Sequence, residues 1–191
     1  EGSRIGLVFN GSPLFTGDAG SGESEIRKWI IENDWLECIV SLPDRMFFNT
    51  GITTYIWIVT NKKSDDRKGQ IQLIDGSSFW SSMKKNLGDK GKYISDQKIN
   101  ELVRIYLDNQ EDEFCKIYPN DFFGYTKVVV EEPLIEDGKP KRDKSGKPKP
   151  DTSKRDNERV PLSEKVEDYY EREVKPHLPD SWMNRSKDKV G

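Results

Sequence analysis

Short apolar runs separated by polar loops fill the first part of the chain and predict an α/β unit. Ile5–Phe9 is a short apolar run typical of a buried strand, and a glycine-rich loop follows it. An amphipathic helix is predicted over 24–33, where apolar side chains recur at i, i+3 and i+4: Ile26, Trp29 and Ile30. Trp35–Leu42 is again apolar and ends at Pro43. A strand, a loop, a helix and a strand in this order predict a parallel sheet.

The next segments predict an antiparallel edge on that sheet. Residues 52–60 are rich in β-branched and aromatic side chains, and Gln70–Ile74 is a further apolar run. Two strands joined by the charged stretch 61–68 predict a hairpin. A helix is predicted over 95–108 from apolar positions at i, i+3, i+4 and i+7: Ile99, Leu102, Val103 and Tyr106. Phe114–Tyr118 and Tyr125–Val130 could form another pair of short strands.

A change of composition over 136–159 predicts a flexible basic linker. Between Lys139 and Arg155 there are eight Lys or Arg, two Asp and three Pro residues, and no large apolar residue. Such a segment cannot bury a core, so we expect a solvated linker; the alternative is contact with DNA phosphates. A C-terminal helix that starts at Pro161 and ends at Pro176 is then predicted from the apolar residues Val166, Tyr169, Tyr170 and Val174. The expected division is 1–135, a linker over 136–159 and a helical extension over 160–191.

Composition and charge narrow the classes of function. Of the 191 residues, 34% are charged and 33% hydrophobic, which indicates a modest core. The net charge of −3 does not favour nucleic-acid binding by the whole chain, so a basic surface would have to be local. Cys38 and Cys115 lack metal-site spacing and fit a reducing cytoplasm. No apolar run approaches a membrane span, so we expect no membrane partner. A lone His177 does not favour a Ser/His/Asp enzyme.

The segment Leu42–Ile52 stands out because it places two adjacent aromatic residues in a loop that enters a strand. One interpretation is packing, in which one of Phe47 and Phe48 is buried and the other covers a strand end. The other is an aromatic platform for a nucleic-acid base. An enzyme that acts on a base must take it out of the helix stack, and a flat apolar surface then replaces the lost stacking, worth roughly 1–3 kcal/mol per base.

Several blocks along the chain, in the same order, resemble the modification subunit of type I restriction systems. The blocks are Asn10–Gly17, Gly22–Asp34, Leu42–Phe47, Thr50–Val59, Lys68–Gly69, Leu73–Asp75, Arg159–Leu162, Arg172–His177 and Pro179–Trp182. The resemblance implies an α/β fold of the S-adenosylmethionine-dependent, Rossmann-like methyltransferase type, with an antiparallel edge hairpin. It also implies methyl transfer to N6 of adenine in double-stranded DNA.

The resemblance also assigns roles within the loop. Phe47 is expected to pack against a flipped adenine, and Phe48 is the second candidate for that contact. Thr50 and Gly51 are expected to shape the loop, Gly51 by permitting unusual backbone dihedrals. These four residues form the predicted target-base pocket. No catalytic residue and no metal ligand is predicted in the chain.

Two motifs expected of such a family are missing from the sequence. The glycine turn that binds the methyl donor and the Asn-Pro-Pro-aromatic motif that positions the adenine amino group are both absent. In the order of the family both precede Glu1, and the chain lacks an initiator Met, so we expect a C-terminal portion of a longer protein. Because transfer needs both halves of the site, the isolated chain should be inactive.

The resemblance implies partners as well. The specificity subunit, which reads the DNA sequence, and the restriction subunit of the type I complex are expected to bind the methylase. The main alternative is a non-catalytic module that docks on DNA or on another subunit, and a weaker one is a decayed subunit with no partners.

Overall fold

The computed structural model describes residues 2–191, which fold as a mixed α/β chain. These residues fall into two compact units. The first contains the residues up to Gly17 together with Ile26–Asn120, and the second contains Asp18–Glu25 together with Asp121–Gly191. The division of the chain at 135 and 159 remains a prediction.

The elements up to residue 120 are β1 (Arg4–Asn10), α1 (Ser12–Phe15), α2 (Gly22–Glu32), β2 (Leu36–Ser41), β3 (Thr54–Thr60), β4 (Gln70–Asp75), β5 (Ser81–Leu87), β6 (Lys90–Tyr93), α3 (Asp96–Asp108) and β7 (Cys115–Pro119). The later elements are β8 (Tyr125–Glu131), β9 (Ile135–Glu136), β10 (Lys139–Pro140), β11 (Asp156–Pro161), α4 (Val166–Tyr169), β12 (Trp182–Met183) and β13 (Lys189–Val190). The predicted helices over 24–33 and 95–108 are confirmed as α2 and α3.

The sheet of the first unit is mixed rather than parallel. Its strand order, within the described residues, is β1-β3-β2-β4-β7, and β2 with β4 is its parallel pair. The predicted hairpin of β3 with β4 is wrong, because β2 lies between them and pairs with both. The prediction that β1 is a buried strand is also wrong. It is an edge strand paired with β3, and its Ile5 and Val8 side chains are more than half exposed.

The core of the first unit lies between this sheet and α3. It consists of apolar side chains from β2, β4, α3, β7 and the loops after β2 and β4: Cys38, Val40, Leu42, Ile74, Phe79, Ile105 and Cys115. Helix α3 begins where Ser95 Oγ accepts a hydrogen bond from Lys98 N, and it ends at Asn109, whose left-handed backbone (φ 47°) closes the last turn. The helix therefore has fixed ends, and it covers the strand from which the loop 42–53 emerges.

The second unit is an antiparallel sheet covered by a short helix. Strand β8 pairs with β11 on one side and with β12 and β13 on the other. Val128 and Val160 of the sheet pack against α4, and the chain continues as a π-helix over Tyr170–Val174. The predicted pairing of 114–118 with 125–130 is wrong, since β7 pairs with β4 and β8 pairs with β11.

The predicted C-terminal helix begins later than expected. Pro161 ends strand β11 opposite Tyr125, and the helix starts at Val166. An edge strand tolerates a proline because the missing N–H costs no ladder bond on the open side. The end of the predicted linker, Asp156–Arg159, also lies in β11, whereas β9 and β10 form a hairpin at its beginning, from Ile135 to Pro140.

Candidate base-binding loop

The loop 42–53 connects β2 to β3 and begins with two buried residues, Leu42 and Pro43. Leu42 N donates to Thr54 O at 2.8 Å, which closes the base of the loop. Farther out, Phe47 and Thr50 form an isolated antiparallel bridge, and Arg45 N donates to Gly51 O at 3.3 Å. The loop is therefore narrow, because backbone contacts join its two sides, and Met46–Asn49 form its tip.

Neither phenylalanine of the loop is buried. Phe47 is 40% exposed and Phe48 is 57% exposed, although both side chains are fully apolar. The packing interpretation required one buried ring, and the structure contradicts it. The four predicted pocket residues thus lie within this one loop, while their role in binding a base remains a prediction.

The backbone strain of the loop lies at Arg45 rather than at Gly51. Arg45 has a left-handed backbone (φ 56°), a conformation that a side chain makes unfavourable. Gly51 is not in this region, so the expectation that it supplies unusual dihedrals is wrong. A Cβ at Gly51 would meet Arg45 Cγ at an ordinary 3.8 Å. Thr50 Oγ1 accepts a hydrogen bond from Ile52 N at 3.4 Å and so braces the exit of the loop.

The hairpin formed by β5 and β6 lies against this loop. Arg45 O accepts hydrogen bonds from Gly91 N at 3.1 Å and from Lys92 N at 3.3 Å. Asp89 N donates to Phe48 O at 3.0 Å. This hairpin was not predicted because residues 81–93 have no alternating apolar pattern. Its local signal in the sequence is the Gly88-Asp89 pair between Leu87 and Lys90.

An ion pair adds to this contact at the base of the loop. Lys92 Nζ donates a hydrogen bond to Asp44 Oδ1 and lies 4.3 Å from the centre of the Trp80 ring. The hydrogen bond from Lys92 holds the pKa of the Asp44 carboxyl below its ordinary value. Asp44 is therefore charged at neutral pH and serves as an anchor for Lys92 rather than as a proton carrier.

A buried carboxylate lies near the other end of β2. Glu37 is 1% exposed, and its oxygens accept hydrogen bonds from Arg4 Nε at 2.7 Å, Arg4 Nη2 at 3.1 Å and Tyr106 OH at 3.0 Å. Arg67 Nε is 3.7 Å away. Burial alone would raise the pKa of Glu37, but the bond from Arg4, the bond from Tyr106 and the two positive charges outweigh it and lower the pKa. The group is a charged structural anchor, which sequence reasoning also missed.

Both ends of β2 lie in a part of the chain that matches a known family. Residues 1–136 match the family model described as N-6 DNA methylase. The chain belongs to the N-6 DNA methylase family. The matched region contains Glu37 and the whole loop 42–53, whereas residues 137–191 lie beyond it.

Among the relatives of this N-6 DNA methylase family member are methylase subunits of type I restriction enzymes. The MjaVIII subunit of Methanocaldococcus jannaschii is 30% identical over 115 residues, which are 60% of this chain and 19% of that protein. The HindI subunit of Haemophilus influenzae is 34% identical over 128 residues, covering 61% of this chain and 27% of that protein. The chain thus spans about a fifth to a quarter of the length of these relatives.

A solved structure shares the fold. The methyltransferase subunit of the type I restriction-modification system of Streptococcus thermophilus superimposes with a TM-score of 0.52 at 24% identity, covering 62% of this chain and 23% of that one. Over residues 2–191, no helix is both long and apolar enough to cross a membrane. No cluster of three or more potential metal ligands occurs in the same described residues.

Proposed function

We propose that this chain supplies the wall of the target-adenine pocket in a type I restriction-modification methylase subunit. The reaction is transfer of a methyl group from S-adenosylmethionine to N6 of adenine in double-stranded DNA. The observation that supports the pocket most strongly is the loop 42–53: inside the family match, it presents two exposed phenylalanine rings on a tip braced by hydrogen bonds. Such rings are what a base needs once it leaves the DNA stack.

Within the pocket, Phe47 is the first contact of the flipped adenine and Phe48 the second. Aromatic faces replace the neighbouring bases and contribute roughly 1–3 kcal/mol per base. The exposure of both rings means that this surface is available without unpacking a core. Thr50 and Gly51 complete the wall, since Gly51 leaves its backbone open on the side where a Cβ would otherwise project.

The described residues do not fit a binding site for the methyl donor. Helix α1 follows β1 directly but has four residues, too short to provide a helix N-terminus for an anionic group. Asp75, the acidic residue at the end of β4, already accepts hydrogen bonds from Ser41 Oγ at 3.0 Å and Ser77 N at 2.9 Å. The Asn-Pro-Pro-aromatic motif is not in the sequence. We therefore assign the binding site for S-adenosylmethionine to other residues of the complete methylase.

The same proposal includes the partners of a type I complex. Duplex DNA is the substrate, and the specificity and restriction subunits bind the methylase. A second candidate is a non-catalytic module that docks on DNA or on another subunit. It is favoured by one feature: the second compact unit lies largely beyond the family match and has its own apolar core around Val128, Tyr170 and Val174.

The test compares the isolated chain with the complete methylase and its partner subunits. We expect the complete protein to form N6-methyladenine in duplex DNA, measured by mass spectrometry of the digested product. We expect the isolated chain to form none and to bind S-adenosylmethionine weakly in calorimetry. Micromolar affinity of the isolated chain would contradict the assignment of the donor site. A complete protein that binds DNA and its partner subunit but transfers no methyl group would favour the docking module.

A further inference from the structure

The turn between β5 and β6 lies directly against the backbone of the aromatic loop. Leu87 and Lys90 are paired, so Gly88 and Asp89 form a two-residue hairpin loop. Gly88 has φ +60° whereas Asp89 is not in the positive region, as in a type II′ turn with glycine at its first central position. Asp89 N points to Phe48 O, at 3.0 Å.

No side chain fits at Gly88 without moving the loop. A Cβ there would lie 2.7 Å from Phe48 O, a backbone atom that cannot swing aside as the end of a side chain can. At Phe48, which carries one of the two exposed rings, the loop therefore meets the turn through its backbone carbonyl oxygen. The glycine is needed both for its dihedrals and for this close approach.

The other side of the loop tip is held by the same hairpin. Arg45 O accepts from Gly91 N and Lys92 N, and Arg45 Nε donates to Asp89 O at 3.3 Å. The guanidinium of Arg45 fills the space above Gly91, where a Cβ would lie 2.8 Å from Nη2. Arg45 and Phe48 flank Met46 and Phe47, so the hairpin fixes the tip on both sides.

We propose that the β5–β6 hairpin positions the base-binding loop and that Gly88 is a positioning residue for methyl transfer. The inference rests on the proposed function, because it assumes that the rings of Phe47 and Phe48 contact the target adenine. The rings are 40% and 57% exposed, so burial alone does not hold them in place, and the hairpin instead holds the loop through the backbone of Arg45 and Phe48. Gly88 does not touch the base and acts through the position of Phe48.

The test uses Gly88→Ala in the complete methylase, with Gly69→Ala as a matched control. Gly69 also has a positive φ (+72°), but a Cβ there meets nothing within 4 Å. Both substitutions put a side chain at a positive φ, and only Gly88→Ala pushes on the loop. A displacement of about 1 Å can cost about 100-fold in rate, so we expect kcat/KM for DNA to fall by about tenfold or more in Gly88→Ala and by less than about threefold in Gly69→Ala.

A spectroscopic readout separates positioning from general loss of structure. With 2-aminopurine in place of the target adenine, the change of fluorescence on binding reports how the flipped base stacks. We expect this change to differ from wild type in Gly88→Ala and to be preserved in Gly69→Ala. Equal kinetics and equal fluorescence in the two variants would overturn the inference.

Two further variants keep the result interpretable. If Gly88→Ala does not fold, Gly91→Ala replaces it. The added Cβ would meet the end of the Arg45 side chain, so we expect a smaller change in the same fluorescence signal. An unchanged fluorescence signal in Gly91→Ala would overturn the inference. Phe47→Ala tests the pocket itself. Unchanged methylation in Phe47→Ala would remove the proposed pocket, whereas impaired Phe47→Ala with normal Gly88→Ala would remove only the role of the hairpin.

Residues 133–150 of the second unit form a separate feature, a basic arm folded without an apolar core. Three backbone hydrogen bonds of 2.8 Å join its three extended segments to one another. Leu134 N donates to Lys149 O, Lys149 N donates to Lys141 O, and Lys141 N donates to Leu134 O. The turn at Asp137 (φ 49°) and Gly138 (φ 76°) has the two positive dihedrals of a type I′ hairpin.

The arm concentrates positive charge in a chain that is negative overall. It holds six Lys or Arg and three Asp or Glu residues, a net charge of +3, whereas the whole chain carries −3. Lys141 is paired with Glu136 at 2.6 Å. Four further lysines take part in no ion pair within residues 2–191: Lys139, Lys144, Lys147 and Lys149. Free ammonium groups on a fixed backbone are suited to the phosphates of DNA.

The geometry points to contact of this arm with the sugar-phosphate backbone of duplex DNA, an inference that also rests on DNA being the substrate. The test replaces Lys147 and Lys149 by Gln in the complete methylase and measures DNA affinity by fluorescence anisotropy at several salt concentrations. The control replaces Lys116 and Lys165, two exposed lysines elsewhere, and so removes the same charge. Each lost phosphate contact should reduce the slope of log K against log salt by about 0.9.

The outcomes of this experiment distinguish a failure of the proposed arm contact from a failure of the proposed function. A reduced slope in the arm variant alone supports the contact. Equal slopes in both variants and the wild type would overturn it while leaving DNA methylation in place. A wild-type protein with no affinity for duplex DNA would instead overturn the proposed function.

Discussion

Near one end of β2 a carboxylate is buried and paired, whereas beyond the other end two aromatic rings are exposed. Glu37 is 1% exposed and accepts bonds from Arg4 and Tyr106, while Phe47 and Phe48 are 40% and 57% exposed. Each region reverses the usual distribution, since charges normally stay in water and aromatic rings normally leave it. The two regions differ in the effect that these unusual side chains have on the protein.

The buried charge of Glu37 stabilises the fold, whereas the proposed role of the exposed rings is to bind a base. An unpaired buried carboxylate would be expensive, so three other segments of the chain supply Arg4, Arg67 and Tyr106 to Glu37. The rings lack comparable packing, and hydrogen bonds from the β5–β6 hairpin instead hold the backbone of the loop at Arg45 and Phe48. Mutations at the first end should therefore affect folding, and mutations at the second should affect catalysis.

The largest effect is expected for Glu37→Ala. Removing the carboxylate leaves the buried guanidinium of Arg67 without its counter-charge, which should lower the free energy of unfolding by about 3–5 kcal/mol in urea denaturation. Lys68→Ala is the control, because its ion pair with Asp65 is exposed and should matter by less than about 1 kcal/mol. Equal losses in the two variants would show that Glu37 is not the anchor of this region.

Phe47→Ala should have the opposite effect, with a larger loss of methylation than of stability. In the complete methylase, we expect kcat/KM for DNA to drop by the equivalent of about 1–3 kcal/mol, because a stacking face for the base is lost. The free energy of unfolding should change by about 1 kcal/mol or less, since the ring is partly exposed and leaves no closed cavity. Methylation assays and urea denaturation of the same variant measure both quantities. Normal methylation with an intact fold would remove Phe47 from the site.

The buried end should also respond to acid. The pKa of Glu37 is lower in the folded protein than its ordinary value of 4.5, so its charge stabilises the fold above that pH. This contribution is lost as the pH falls below 4.5 and through the lowered pKa. The difference in unfolding free energy between wild type and Glu37→Gln should therefore shrink on acidification, measured by urea denaturation between pH 7 and pH 3. A pH-independent difference would contradict the shift.

The smallest effect on folding is expected for Gly51→Ala. Gly51 has no positive φ and its added Cβ would meet Arg45 Cγ at 3.8 Å, so stability should stay within about 0.5 kcal/mol of wild type. If Gly51 lines the base pocket, methylation should nevertheless decrease, because the methyl group occupies space meant for the base. A variant normal in both thermal unfolding and methylation would exclude Gly51 from the pocket wall.

Local patterns predicted the elements better than their arrangement. The helices α2 and α3 and the apolar segments of β2, β3 and β4 follow from periodicity, because side-chain spacing depends on neighbours in the chain. The strand order did not follow, since a β3–β4 hairpin and the insertion of β2 between them have the same local patterns. The prediction that β1 is buried was wrong for the same reason, because an apolar run does not show whether its strand lies at the edge of a sheet.

The sequence by itself determined where the candidate site lies, through two adjacent aromatics after a strand, and the family match contains that loop. Tertiary structure decided how the site is held. The partners of Glu37 come from positions 33 and 69 residues away, and the turn at Gly88 meets Phe48 across a separate hairpin. Contacts between distant segments leave no periodic signal in the chain. Only the folded backbone shows that Arg45 bears the strained dihedral while Gly88 provides the close approach.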